Sequence, residues 1–114
     1  MLPRANRMRR SEVFTTTMRH GRRCGDTLLV MYINDEPEAD LEVGFTVSKK
    51  VGNSVVRHRV ARQLRHIMRG YLPILVEESI SGVVIRALPP AAKASSSELQ
   101  NSIEKCLMRW GICG

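Results

Sequence analysis

Residues 44–66, GFTVSKKVGNSVVRHRVARQLRH, place an apolar strand, a Gly-Asn turn and a strongly basic helix next to one another. The four Arg and two Lys side chains of this stretch meet no Asp or Glu within it. Surface helices usually place acids three or four residues from bases, because like charges at that spacing repel each other. The stretch therefore predicts a helix whose counter-charge comes from a partner.

The helix itself is expected to begin with Ser54 as its N-cap, to reach about Tyr71 and to end before Pro73. On a helical wheel, one side is apolar: Val56, Val60, Leu64, Ile67 and Tyr71. The almost opposite side is basic, with Arg57 at the boundary: His58, Arg59, Arg62, Arg65, His66 and Arg69. The apolar side predicts docking on a sheet. The basic side predicts phosphate contacts, which the planar guanidinium suits, although a solvated helix face is the alternative interpretation.

The flanking sequence predicts the remaining elements. Ser11 can cap a first helix that runs to about His20 and stops at Gly21, and Ser95 with Glu98 forms a capping box for a last helix over residues 96–110. Two β-rich segments, residues 26–33 and 41–48, look like a hairpin, and residues 83–88 form a third strand. This order predicts a single α+β domain, a two-layer sandwich with one sheet.

Composition narrows the class of protein. The chain has 114 residues and a net charge of +7, which favours a polyanionic partner, either nucleic acid or an anionic membrane. No apolar run is long enough to span a membrane, and the basic start lacks the apolar region of a signal peptide. Cys24, Cys106 and Cys113 form no CxxC pair, which predicts free thiols in a reducing cytoplasm. No nucleophile elbow, paired carboxylates or metal cluster is present, so no catalytic or metal-binding residue is predicted in the protein itself.

The central motif also resembles a known family. Residues 43–65, VGFTVSKKVGNSVVRHRVARQLR, resemble the signature of the protein subunit of bacterial ribonuclease P, V-G-[FL]-x-V-S-K-K-x-G-N-A-V-x-R-N-R-x-K-R-x-x-R. The basic start, Phe14 on a short helix and the strand followed by a Ser-rich cap fit as well, so the resemblance covers nearly the whole chain. It implies a ribosomal-protein-like fold with three helices and a four-stranded sheet, including a short strand near residues 22–25. It also implies a left-handed βαβ crossover, where the general rule expects a right-handed one.

The resemblance further implies a function. In that family the RNA subunit cleaves precursor tRNA with bound magnesium, and the protein binds no cofactor of its own. The protein holds the 5′ leader between the first helix and the sheet, and its motif helix lies against the RNA subunit. By position, the leader-binding residues would be Phe14, Met18, Tyr32, Arg57 and His58. The residues for the RNA subunit or its phosphates would be Arg9, Arg10, Lys49, Lys50, Asn53, Arg59, Arg62, Arg65 and Arg69.

The chain departs from the family pattern at four positions. Met18 replaces a frequent Phe, Ser54 an Ala, His58 an Asn and Ala61 a Lys. The implied result is a working leader site with altered nucleotide preference and a better capped motif helix. Two other functions are considered: a stand-alone or ribosome-associated RNA-binding protein, and a DNA-binding helix-turn-helix protein, against which the missing second short helix argues. We expect a cytoplasmic monomer that binds neither DNA nor membranes, with residues 1–10 as a basic arm that is mobile without RNA.

Overall fold

A mixed four-stranded sheet forms the centre of the fold in the computed structural model, which describes residues 11–36 and 40–112. Its strands are β1 (Arg22–Gly25), β2 (Leu29–Asn34), β3 (Glu42–Thr46) and β4 (Gly82–Ala87). Their order in the sheet is β1-β2-β4-β3. β2 pairs antiparallel with both β1 and β4, whereas β3 pairs parallel with β4. The short strand that the resemblance implies near residues 22–25 is therefore confirmed as β1.

In the part of the chain that the structure describes, four α-helices and one short 3-10 helix surround the sheet. They are α1 (Ser11–His20), α2 (Ser54–Arg69), α3 (Leu72–Glu77), the 3-10 helix Pro89–Lys93 and α4 (Ser96–Arg109). The sequence predicts α1, α2 and α4 but not α3. At the end of α2 the Gly70 N–H donates to the Ile67 carbonyl and the Tyr71 N–H donates to the Met68 carbonyl. Pro73 then lies in the first turn of α3, where its missing N–H costs nothing. Tyr71 consequently precedes α3 as its N-cap residue and does not belong to α2.

The predicted hairpin of residues 26–33 and 41–48 is wrong, because β4 lies between β2 and β3. The physical reason is burial. β2 and β4 are apolar on both faces and are buried along most of their length, so they occupy the centre of the sheet. β1 and β3 are more exposed and form its edges. The connection from β3 to β4 runs through α2 and α3 and joins two parallel strands; its left-handedness stays a prediction.

The main hydrophobic core lies between one face of the sheet and the helices α2 and α4. Met31, Ile33 and Ile85 point into it from the strands, and Leu64 and Ile103 meet them from the two helices. α1 lies on the other face, where it contacts β2 and β4. The α+β class with a four-stranded sheet is confirmed. No helix in the described part of the chain is both long and apolar enough to cross a membrane.

Candidate nucleic-acid interface

The start of α2 is fixed by Asn53, whose side-chain Oδ1 accepts the backbone N–H of Val56 at 3.0 Å. Ser54 was predicted as the cap, and this prediction is wrong: Ser54 is the first helical residue and is exposed. Asn favours this position because its short amide satisfies an N–H that has no acceptor inside the helix. Ser54, which replaces the family Ala, therefore does not improve the cap. The Oδ1 atom of Asn53 makes the capping hydrogen bond instead.

The outer side of α2 is basic along its whole length, and we call it the cationic face: His58, Arg59, Arg62, Arg65, His66 and Arg69. Five of these side chains are exposed, and Arg65 is half-buried. The opposite side of α2 buries Val60, Leu64, Ile67 and Met68, as the helical wheel predicts for three of the four. The helix has no acid in its first turn and none elsewhere, so repulsion between its cations is not relieved from within.

Two hydrogen bonds fix α2 against the segment after β4. The guanidinium of Arg59 donates to the backbone carbonyl of Ala92 in the 3-10 helix. Gln63 donates from Nε2 to the hydroxyl of Ser96 at the start of α4, at 3.1 Å. Arg59 thus belongs to the cationic face and also links α2 to the 3-10 helix.

Arg57 lies at the boundary of the cationic face, near the N-terminal end of α2. Its side chain is half-buried, and its Nε atom is covered by protein without a hydrogen-bond partner among the described residues. Packing therefore holds this side chain, which lowers the entropy that an incoming phosphate would have to remove. His58 beside it is exposed.

A second, smaller apolar cluster lies between α1 and the sheet, and we call it the α1 patch: Phe14, Met18, Val30, Tyr32, Val84 and Leu88. Phe14 and Met18 are half-buried and keep part of their surface accessible, whereas Tyr32 is only 7% exposed. The guanidinium of Arg23 lies over the Tyr32 ring, 6.0 Å from its centre. The patch therefore offers an aromatic and thioether surface beside a cation, which suits an unpaired nucleotide base.

Close backbone approach positions α1. A Cβ on Gly82 of β4 would lie closer than 3.0 Å to the Thr17 hydroxyl, and a Cβ on Gly21 would meet the carbonyl oxygens of Ile33 and Thr17 at a similar distance. Thr17 is 1% exposed as a result. The two glycines let α1 lie directly on the sheet, so they set the geometry of the α1 patch.

The predicted leader residues form two groups. Phe14, Met18 and Tyr32 are together in the α1 patch, while Arg57 and His58 are near the start of α2. Lys49 and Lys50 are exposed in the turn that precedes α2. Arg9 and Arg10, like the rest of the basic arm, lie outside the described residues.

Sequence reasoning missed Arg23 and Arg86. Strand pairing places Arg23 opposite Tyr32 and places Arg86 opposite Val30, so both side chains share the face of the α1 patch. The alternation of β4 identifies Arg86 as an outward residue, since it is the one exposed position in that strand. The face that it joins is decided by the sheet order, which the sequence alone did not supply.

Other groups with chemical potential are structural. Cys24 and Cys106 are buried free thiols, and Cys113 lies outside the described residues. Burial, followed by contact with Cys24, raises the pKa of the Cys106 thiol to about 12, so it is not a nucleophile at neutral pH. Among the described residues, no group of three or more His, Cys, Asp or Glu side chains is arranged to hold a metal ion.

Known proteins that are similar to this chain share one description. The family model for ribonuclease P matches residues 2–111. The chain is 45% identical to the ribonuclease P protein component of a Nocardioides species, across 97% of this chain and 96% of that protein. It is 44% identical to the protein component of Mycobacterium avium, across 96% and 94% of the two chains.

Solved structures show the same fold. The RNase P protein of Staphylococcus aureus superposes with a TM-score of 0.77 at 24% identity, covering 97% of this chain and all of that one (100%). The RNase P protein of Thermotoga maritima superposes with a TM-score of 0.75 at 16% identity, covering 90% and 96%. Together with the family model and the full-length relatives, these comparisons establish that the chain belongs to the ribonuclease P protein family.

Proposed function

We propose that this chain is the protein component of a ribonuclease P ribonucleoprotein and assists the removal of the 5′ leader from precursor tRNA. The observation that carries the proposal is the cationic face of α2, which has no acid and lies opposite a fully apolar docking side. Such a helix is firmly held by the core, yet its charges lack a counter-charge within α2. A folded RNA supplies that counter-charge as phosphates.

The cationic face is assigned to the RNA subunit. Arg62 and Arg69 are exposed and directed away from the sheet, and guanidinium groups bind phosphate oxygens through two parallel hydrogen bonds. Lys49 and Lys50 precede the α2 N-terminus, where the helix dipole also favours an anion. Each contact releases a condensed counterion, so we expect affinity to fall steeply as salt rises.

The α1 patch is assigned to the leader of precursor tRNA. A single-stranded leader can place a base on Phe14 and Met18, which remain partly accessible, while Tyr32 forms the buried floor beneath them. Stacking of this kind tolerates many sequences because every base has a flat π-face. Arg57 and His58, near the start of α2, would contact the leader phosphates or base edges.

The protein does not supply the reacting groups in this proposal. Magnesium bound by the RNA subunit supplies the activation of water and the stabilisation of charge at the scissile phosphate. The protein brings two polyanions together by neutralising phosphates of both. This role lowers the magnesium concentration at which the RNA cleaves its substrate, because less of the metal is needed for charge screening.

Reconstitution tests the proposal. The protein, ribonuclease P RNA and precursor tRNA are mixed at low magnesium, and the cleavage rate is compared with that of the RNA alone. We expect stimulation, and its absence would refute the proposal. The alternative, a stand-alone or ribosome-associated RNA-binding protein, predicts RNA binding without any increase in cleavage.

Variants then test the leader site. Stacked bases are worth about 1–3 kcal/mol each, so Phe14→Ala should weaken precursor-tRNA binding by about 5- to 150-fold while leaving mature tRNA unaffected. Arg57→Ala and Tyr32→Ala should also weaken it, with thermal unfolding measured for Tyr32→Ala because that residue is buried. Lys93→Gln, an exposed cation outside the α1 patch and the cationic face, serves as the control. If all three variants bind the leader as tightly as the control does, this site is excluded.

We further propose that the protein is located in the cytoplasm and that the free protein is a monomer.

A further inference from the structure

A pocket of about 490 Å³ opens at the β1 edge of the sheet, away from the cationic face of α2. Three arginines from three different elements line it: Arg23 from β1, Arg86 from β4 and Arg109 from α4. Val30 and Leu88 contribute apolar wall. We call this the arginine pocket.

Strand register explains why two of these arginines meet. Arg23 pairs with Tyr32 and Arg86 pairs with Val30, so they lie on opposite sides of β2, two residues apart along it, and share one face. Gly25 is the β1 residue opposite Val30 and also lines the pocket. A Cβ at this position would lie 3.0 Å from both the Leu29 carbonyl oxygen and the Val30 side chain, so glycine lets β1 lie close to β2 at the pocket wall.

The one carboxylate in the pocket lining, Asp26, has other partners. Its Oδ1 accepts the N–H groups of Leu28 and Leu29, at 2.8 and 3.2 Å, and its Oδ2 accepts the Ser102 hydroxyl at 2.6 Å. Burial alone would raise the pKa of Asp26, but these hydrogen bonds and the charge of Lys105 outweigh it and lower the pKa. Asp26 thus stays ionised while joining the β1–β2 turn to α4.

Three guanidinium groups and one carboxylate line the pocket, so the lining carries a net charge of +2. Arg86 and Arg109 are exposed, and Arg23 packs over the Tyr32 ring. Three like charges around one opening repel each other, and a bound anion would relieve that repulsion.

We propose that the arginine pocket is a second RNA-binding site, which takes backbone phosphates of a single strand that continues from the α1 patch. Continuity supports this assignment, because Val30 and Leu88 belong both to the pocket and to the patch. Arg23 joins the two by covering Tyr32 at the boundary. The choice of RNA as the ligand rests on the proposed function. The three arginines of the pocket, however, are not among the residues of the family motif.

A phosphodiester could come from two sources, namely the leader upstream of the nucleotides on the α1 patch or a single-stranded segment of the RNA subunit. The experiment therefore measures binding of the protein to three RNAs. These are precursor tRNA with a leader of about 5 nucleotides, the same tRNA with a leader of about 15 nucleotides, and ribonuclease P RNA alone.

The variants are Arg86→Gln, Arg109→Gln and the double substitution. Lys105→Gln is the matched control, because Lys105 is an exposed cation one turn from Arg109 on the same helix and does not line the pocket. Arg23 is left intact because it contacts Tyr32 in the leader site. The three side chains that are replaced are exposed, and thermal unfolding checks that each variant folds.

Each lost contact to a single-strand phosphate should reduce the slope of log K against log salt by about 0.7, which is about fivefold in affinity at 0.1 M salt. The double variant should therefore lose about 25-fold and about 1.4 in slope, while Lys105→Gln loses less than about twofold. A loss confined to the long leader identifies the leader as the source, and a loss with ribonuclease P RNA alone identifies the RNA subunit.

The inference is overturned if the double variant matches Lys105→Gln in slope and affinity on all three RNAs. That result is distinguishable from failure of the proposed function. If only the arginine-pocket inference fails, the wild-type protein and the double variant stimulate cleavage equally at low magnesium. If the proposed function fails, the wild-type protein itself gives no stimulation.

Discussion

Replacing Gly82 with alanine is expected to displace α1 from the sheet and to weaken leader binding at the proposed site, without changing any residue that is proposed to contact RNA. The new methyl group would lie closer than 3.0 Å to the Thr17 hydroxyl, so helix or strand must move by several tenths of an ångström. Over-packing of this kind costs about 1–3 kcal/mol of unfolding free energy. For a domain whose total stability is about 5–15 kcal/mol, that is a sizeable fraction.

The structure also supplies a compensating change. Thr17→Ala removes the clashing oxygen and leaves the Thr17 Cβ 3.5 Å from the new methyl, which is ordinary contact. The single Thr17→Ala variant loses one buried methyl, worth about 0.8 kcal/mol, but also removes a buried hydroxyl that has no hydrogen-bond partner in the described part of the chain. Its net effect should therefore be within about 1 kcal/mol of zero. The double variant should regain most of the loss, with a coupling energy of about 0.5–3 kcal/mol.

Urea denaturation followed by circular dichroism gives the four free energies of this cycle, and anisotropy of a labelled leader RNA gives the matching affinities. Gly70→Ala is the control, since Gly70 has helical φ of −70° and its nearest new contact is 3.5 Å away. It should be neutral or stabilise by about 0.4–1 kcal/mol. The proposed contact between α1 and β4 would be refuted if Gly82→Ala had the same unfolding free energy as the wild-type protein. It would also be refuted if the double variant were no more stable than Gly82→Ala.

Three further predictions concern α2, the β1–β2 turn and the core. Asn53→Ala should cost about 0.5–2 kcal/mol through loss of the α2 cap, whereas Ser54→Ala should stay within about 0.5 kcal/mol, as urea denaturation can measure. Asp26 has a lowered pKa, so its carboxylate stabilises the fold above about pH 4 and this contribution disappears as pH falls through the folded-state pKa. Wild type should therefore exceed Asp26→Asn in thermal stability at pH 7 and approach it below pH 4. Leu64→Ala, which empties a fully buried site between α2 and the sheet, should cost about 2–5 kcal/mol in the same assay.

The sequence predicted best what depends on local periodicity and capping. The wheel of α2 separated Val60 and Leu64 from Arg62 and Arg69 correctly, because a helix that docks on a core must bury one stripe. The capping box of α4 is present as predicted, with the Ser95 hydroxyl accepting the Glu98 N–H and Glu98 accepting the Ser95 N–H. Both signals act over four residues or fewer, so tertiary context has little power to override them.

Strand partnership was the main failure, and its cause is distance along the chain. Alternation in residues 41–48 predicts a strand with one buried side, but it carries no information about the neighbour. β2 and β3 are separated in the sheet by β4, which begins 36 residues after β3 ends. The arginine pocket was missed for the same reason, since Arg23, Arg86 and Arg109 meet only once the sheet order is known. The family resemblance implies the candidate leader residues, but it does not extend to these three.

The central position of β4 in the sheet has a consequence for folding of the chain during its synthesis on the ribosome. β2, β3 and α2 leave the exit tunnel before β4, yet β2 and β3 both hydrogen-bond to β4. The β2–β4 and β3–β4 pairs cannot form until residue 87 has emerged, so about three quarters of the chain is made while β1–β2 is the one strand pair of this sheet that can form. A nascent chain stopped before this strand lacks the centre of the sheet, and completion of the proposed RNA-binding surface is tied to nearly complete synthesis.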